Sequence, residues 1–185
     1  RRPGAFIEPP NRNPRRYPVY SKILKYGLVA GAVVGGIMFG VTVASGGEFP
    51  IEYGMLLGYG SMLLALSAIF VGIKRHRDDT LGGVIGFWPA FGMGLGISAV
   101  AGVIYVLAWE AAQAVSDADF VAIYTNYLIE EQRAAGAGEA ALAQLREELA
   151  AFAVQYADPW FRLPMTFVEI FPVGVLVSMV SALVL

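Results

Sequence analysis

One carboxylate stands inside an apolar run. Glu169 lies eight residues into the segment Phe161 to Leu185, in the phrase Met165-Thr-Phe-Val-Glu169-Ile-Phe-Pro172-Val-Gly174. If that segment crosses a bilayer, a carboxyl group and a helix-bending proline lie below the lipid headgroups. Ionisable side chains there are costly and mark functional positions. Such a group can exchange a proton, as in proton-coupled transport, or bind a cationic group. The alternative is a neutral, hydrogen-bonded carboxyl that only fixes helix register. Pro172 removes one backbone donor three residues further on and favours a local opening beside Glu169.

Other chemistry lacks its parts. The chain has no cysteine, which excludes disulfides, thiolate catalysis and cysteine-ligated metals. Its single histidine, His76, sits in the basic Lys74–Asp79 stretch, where it reads as a loop residue and not as a ligand. No Ser/His/Asp or Cys/His arrangement and no HExxH motif occurs. Gly46-Gly47 and Gly82-Gly83 are turn punctuation, since no strand precedes them and no Lys-Ser/Thr follows. No catalytic residue, metal or cofactor is expected. The basic groups adjoin apolar segments and form no domain face, so no nucleic-acid partner is expected either.

The elements that must position Glu169 follow from composition. Of 185 residues, 57% are hydrophobic and 15% charged, against about 25% charged in soluble domains. The deficit falls in four blocks. A helical span needs about 20 apolar residues. Spans are expected at about Ile23 to Ala44, Tyr53 to Ile73, Val84 to Ala112 and Phe161 to Leu185. In lipid only helices of this length satisfy their own backbone. The expected fold class is all-α: an integral-membrane four-helix bundle over residues 22–185, preceded by an Arg/Pro-rich tail over 1–21. Trp88, Trp109 and Trp160, with Tyr53 and Tyr20, fall where an interfacial aromatic belt would.

Charge orients the bundle. Seven of the 13 lysines and arginines lie at or before Lys25, and Lys74, Arg75 and Arg77 separate spans two and three. Two spans part these clusters, so they share one side, which the positive-inside rule makes cytoplasmic. The N- and C-termini are then both cytoplasmic. The other side carries Glu48, Glu52 and the segment from Ser116 to about Trp160, with ten acids against at most three arginines. The tail arginines can also meet anionic lipid.

Between spans three and four an extramembrane helical hairpin is expected over about 117–157. Phe120, Ile123, Tyr124, Tyr127 and Leu128 mark one helical face. After Gly136-Ala-Gly138, the residues Leu142, Leu145, Leu149, Phe152 and Tyr156 form a second, at coiled-coil spacing. Ser116 reads as its N-cap and Asp158-Pro159 as its stop. Its apolar stripe can pack on itself, on the bundle or on a partner.

Helix packing has its own signal. Gly27, Gly31 and Gly35 recur every four residues in span one, followed by Gly40; Gly54 and Gly58 open span two; Gly92 and Gly96 mark span three. Small residues four apart let helices approach closely in lipid. At 1.5 Å per residue, Glu169 lies roughly 12 Å from the outer end of its helix. Tyr59 and Tyr105 are about as deep in spans two and three. These three are the candidate buried protonatable cluster, with either tyrosine able to donate to the carboxylate. Thr42, Trp109 and Glu110 lie nearer the outer surface, and Glu110 reads as solvated.

The phrases Gly58-Tyr-Gly-Ser-Met62, Ala65-Leu-Ser67 with Ile69-Phe-Val-Gly-Ile73, and Phe167-Val-Glu169-Ile-Phe-Pro172-Val-Gly174 resemble the family catalogued as domain of unknown function 4199. So does the helical insert before the last span. The resemblance covers about residues 22–185 and implies a bacterial inner-membrane protein with four spans. It implies no activity and carries over no catalytic residue.

Two functions fit these observations. One is a non-catalytic accessory or scaffold subunit of a larger membrane complex. The other is a small proton-coupled transporter or channel, oligomeric, with Glu169 as its protonatable site. The expected surroundings are the lipid bilayer and either a larger complex or a homo-oligomer. Against transport, spans one–two and three–four show no inverted repeat, and the spans hold few polar residues.

Overall fold

A computed structural model of the chain describes residues 19–46, 51–116 and 118–185. The arginine- and proline-rich residues 1–18, residues 47–50 with Glu48, and Asp117 lie outside the described residues, as does the Glu52 side chain. Six helices follow in order: α1 (Val19–Ser45), α2 (Ile51–Thr80), α3 (Phe87–Val115), α4 (Phe120–Ala134), α5 (Glu139–Tyr156) and α6 (Pro159–Val184). Helices α1, α2, α3 and α6 are long and apolar enough to cross a membrane. The molecule is an all-α, multi-pass membrane bundle, with α4 and α5 as a hairpin outside it.

The boundaries shift in ways that local chemistry explains. The hairpin stops before Asp158 and Pro159 as expected, α5 ending at Tyr156, and the same two residues also start α6. The Asp158 carboxylate accepts from the Trp160 amide at 3.0 Å, and proline occupies the first turn, where its missing N–H costs nothing. Asp119, not Ser116, caps α4, accepting from the Ala122 amide at 2.9 Å. Helix α2 runs on through the basic stretch to Thr80, so His76 is helical, and the turn comes at Gly82 and Gly83, both with positive φ. Gly136 (φ +85°) turns the hairpin.

Helix α3 is the centre of the bundle. It runs parallel to α1, and the seam is built on the four-residue glycine repeat. A Cβ added at Gly27 would lie 2.5 Å from the Val100 Cβ, at Gly31 2.6 Å from that of Ile104, and at Gly35 2.9 Å from that of Ala108. Each step of four on α1 meets a step of four on α3. Gly96 receives Ile23 in the same seam, at 3.1 Å. Gly40, Gly58 and Gly92 face open space, and Gly54 is half-buried.

The opposite side of α3 packs antiparallel on α6 through a reciprocal pair. A Cβ at Gly94 would lie 2.6 Å from Ser178 Oγ, and one at Gly174 would lie 2.5 Å from Ser98 Oγ. The two hydroxyls lie 3.3 Å apart. Each also donates to its own helix four residues back, Ser98 to Gly94 and Ser178 to Gly174. Gly-x-x-x-Ser on both helices thus brings backbones together and leaves no hydroxyl unsatisfied in lipid. Leu66, Ile69 and Ile73 of α2 and Ile97 and Ile170 complete a fully buried core.

Charge gathers at the end away from the hairpin. Lys22 Nζ donates to the Arg75 carbonyl at 3.2 Å and the Thr80 hydroxyl at 3.0 Å, and faces Asp79 at 3.7 Å. Arg77 donates to Asp78 and, from Nη1, to the carbonyl of Leu185 at 3.2 Å. The start of α1 and the ends of α2 and α6 therefore share one basic end.

The glycine seam makes a measurable claim. Gly31→Leu should lower thermal stability in detergent by about 1–3 kcal/mol, since an overpacked seam must separate. Gly40→Leu, where a side chain meets open space, should leave the melting temperature unchanged. Equal effects of the two would rule out the seam.

Candidate functional site

Helix α6 presents Thr166, Ile170, Gly174 and Ser178 inward, a buried stripe at four-residue steps. Glu169 precedes Ile170 by one residue and so points about 100° away from that stripe. It is exposed on the outward face of α6, not buried in the bundle interior. The expected buried cluster is corrected in this respect. The physical reason is space: at this level the face of α6 that meets α3 is filled by Phe167, whose ring lies 2.6 Å from where a Cβ on Gly102 would stand.

Of the two tyrosines, the structure brings Tyr105 to Glu169. Its hydroxyl donates to Oε2 at 3.5 Å, a long bond, from a ring that is only 7% exposed. Tyr59 of α2 is 57% exposed and lies within electrostatic reach of Tyr105. Tyr59, Tyr105 and Glu169 thus border one outward strip where α2, α3 and α6 meet. Pro172 is exposed on the same face, and it has no N–H to give the Val168 carbonyl. Helix α6 continues through both Pro164 and Pro172.

Towards the hairpin a second polar group appears that the sequence did not disclose. Glu110, expected to be solvated, is paired with Arg162: Nε donates to Oε1 at 2.7 Å and Nη2 to Oε2 at 2.6 Å. This fork is bidentate and largely shielded, the side chains being 16% and 29% exposed. Arg162 Nη1 also donates to the Tyr156 carbonyl at 3.3 Å, and its guanidinium lies 5.8 Å over the Tyr156 ring. Trp109 Nε1 donates to the Tyr156 hydroxyl at 2.8 Å. Burial pushes that phenol above its ordinary range, so it stays neutral. It shares a further hydrogen bond with Thr166 and lies within electrostatic reach of Glu169. Ring contacts of Trp109 with Phe120 and of Phe152 with Phe161 seat the hairpin on the bundle end. Leu142, 1% exposed, anchors α5.

Beside this knot a groove of about 490 Å³ opens between α4 and α5, lined in part by Gln113, Asp119, Thr125, Arg146 and Tyr156. Its hydroxyl and carboxylate are engaged in helix starts: Thr125 donates to the Ala122 carbonyl and Asp119 caps α4. Among the described residues no three histidines or acids gather to hold a metal.

The family follows from the whole apolar domain. A model of the family described as "Protein of unknown function (DUF4199)" matches residues 25–185. The chain belongs to that family. No curated protein and no solved structure matches it. The match takes in all four long apolar helices except the first turns of α1, together with the hairpin. Apart from the basic end and the Ser98–Ser178 pair, the polar side chains of the bundle in this DUF4199 protein form two groups: Glu169 with Tyr105, and the Arg162–Glu110 knot.

The knot should behave as a partly buried ion pair. Arg162→Met strands Glu110 without its cation and should cost about 2–3 kcal/mol, somewhat below the loss for a fully buried pair. Replacing both partners, Glu110→Leu with Arg162→Met, should recover most of it. Thermal melts of the three proteins in one detergent decide this, and a double variant as unstable as the single one would contradict it.

Proposed function

We propose that the protein is a non-catalytic accessory or scaffold subunit of a larger membrane complex. We place it in a bacterial inner membrane with its basic end cytoplasmic and its hairpin outside. The observation that carries the reading is Glu169 on the outward face of α6. It lies seven residues inside Arg162, or about 10 Å along the helix. A charge at bilayer depth costs about 2.5–3.5 kcal/mol on insertion scales. A well-formed hydrogen bond to a charged group returns about 1.5–3 kcal/mol, and the 3.5 Å bond from Tyr105 falls short of that geometry. Lipid against this face leaves that imbalance standing, while a protein partner removes it. The helices meet at close glycine contacts and the core between them is filled by Leu66, Ile69, Ile73, Ile97 and Ile170, which suits a subunit that offers surfaces.

Proton-coupled transport is the second reading, and one observation favours it. Tyr105, Tyr156, Thr166, Arg162 and Glu110 line a polar column from Glu169 to the hairpin end. A proton could enter along it from one side only.

Purification from native membranes in mild detergent separates the two. A stoichiometric partner that is lost on Glu169→Lys, with the bundle still folded, supports the accessory role. A lone homo-oligomer whose reconstituted proton flux disappears on Glu169→Gln supports transport and overturns it. Orientation is tested separately in this cysteine-free chain. Cysteines introduced at Ser45 and at His76 should react from opposite faces, the latter from the cytoplasm.

A further inference from the structure

The strip around Glu169 indicates what kind of partner it needs. Apolar side chains are exposed on the same helices: Leu56 of α2, three residues before Tyr59, and Val168 and Leu176 of α6, one before and seven after Glu169. Yet the strip offers acceptors in excess of donors. Tyr105 donates to Oε2 alone, which leaves Oε1 able to accept. One residue away, the Val168 carbonyl lacks the amide donor that Pro172 cannot supply. Two acceptors on one lipid-facing patch call for a group with several N–H donors. A lysine ammonium has three and an arginine guanidinium five.

The chain itself has no such group at this depth. Within the four long helices, Lys22 and Lys25 sit at the basic end of α1, Lys74, Arg75 and Arg77 at the basic end of α2, and Arg162 is committed to Glu110. A second copy, inserted in the same orientation, would bring only tyrosine, serine or threonine hydroxyls, or another Glu169, to this level. One hydroxyl cannot serve both acceptors, and a second carboxylate repels the first. Self-association therefore leaves the patch unsatisfied.

We infer that this α2–α3–α6 strip seats a transmembrane helix of a different protein, one that carries a lysine or arginine level with Glu169. This rests on the accessory-subunit reading and names the chemistry of its partner. The cation pairs with the carboxylate from the lipid side while Tyr105 holds it from the protein side. Tyr59 gives the incoming helix an amphipathic ring to lie against. Removal of water and lipid from such a charge-assisted pair strengthens it.

Photo-cross-linking in native membranes tests this on the full chain. A photoreactive residue replaces Val168 or Leu56, which flank the strip, and Leu28 on α1 serves as the control position. The cross-linked peptides are sequenced by mass spectrometry. Expected is an adduct with a membrane-spanning segment of another protein, bearing lysine or arginine within one helical turn of the linked residue. Its yield should fall about tenfold on Glu169→Gln, which corresponds to about 1.4 kcal/mol of lost binding. Charge reversal of Glu169 together with the partner's cation should restore it. Adducts with lipid, with a second copy, or with a helix lacking a cation would each overturn the inference. If a partner still co-purifies while the strip yields only lipid, the accessory reading stands and this face is not its docking site.

Discussion

The bundle depends on how closely α3 approaches its neighbours. In lipid there is no hydrophobic gain in pressing one apolar helix against another, so association rests on packing and hydrogen bonds. Helix α3 obtains both. Towards α1 it lays Val100, Ile104 and Ala108 on a run of glycines. Towards α6 it exchanges serine for glycine at two matched positions, with the hydroxyls in contact. Both seams follow a four-residue step on two faces of α3, from Gly96 to Ala108 towards α1 and from Gly94 to Gly102 towards α6. Helix α2 then closes the bundle with the branched and long side chains that α3 leaves uncovered, Leu66, Ile69 and Ile73 among them.

This closeness determines where polar groups can go. A bundle whose α3–α6 seam is already filled by serine on glycine and by Phe167 on Gly102 has no interior site for a glutamate. Glu169 is displaced to the outward face, and only the tyrosine at the border of the seam reaches it. The same exclusion acts at the hairpin end. Arg162 enters α6 one turn below its cap and turns across to Glu110 of α3, with Tyr156 of α5 beneath its guanidinium. That arrangement ties the hairpin to α3 and α6, the two helices of the glycine–serine seam. Position of the hairpin and position of Glu169 are therefore set by one element, α6.

Much of this was legible in the sequence, and the rest was hidden for definite reasons. Spans and hairpin show themselves because hydropathy and helical period are properties of contiguous residues. The α1 seam was visible because three glycines recur every four residues with nothing else in that phase. The α6 seam was not, because Ser98 and Ser178 read as isolated polar residues in apolar runs and Gly94 does not stand out among neighbouring glycines. The phase of Thr166, Ile170, Gly174 and Ser178 was nonetheless there to be read, and it places Glu169 off the inward face. The Arg162–Glu110 fork had no local signal at all. Its partners are 52 residues apart, each near the end of a different helix, and only the antiparallel docking of α3 and α6 makes them neighbours.

The rigidity of the seams also bears on how the molecule can act. Alternating access requires one group of helices to rock against another around a fixed site. Here the site and the serine seam share α3 and α6, so any rocking that exposed Glu169 to the basic end would have to part Ser98 from Ser178 and Gly174 from Ser98. Each would lose close contact, and the freed hydroxyls would meet lipid. A docking surface asks for none of this. It needs a carboxylate held at fixed depth, a donor behind it and a stiff helix to carry both, and α6 provides them without moving. The carboxylate that is costly at bilayer depth is the group a docking partner would gain from.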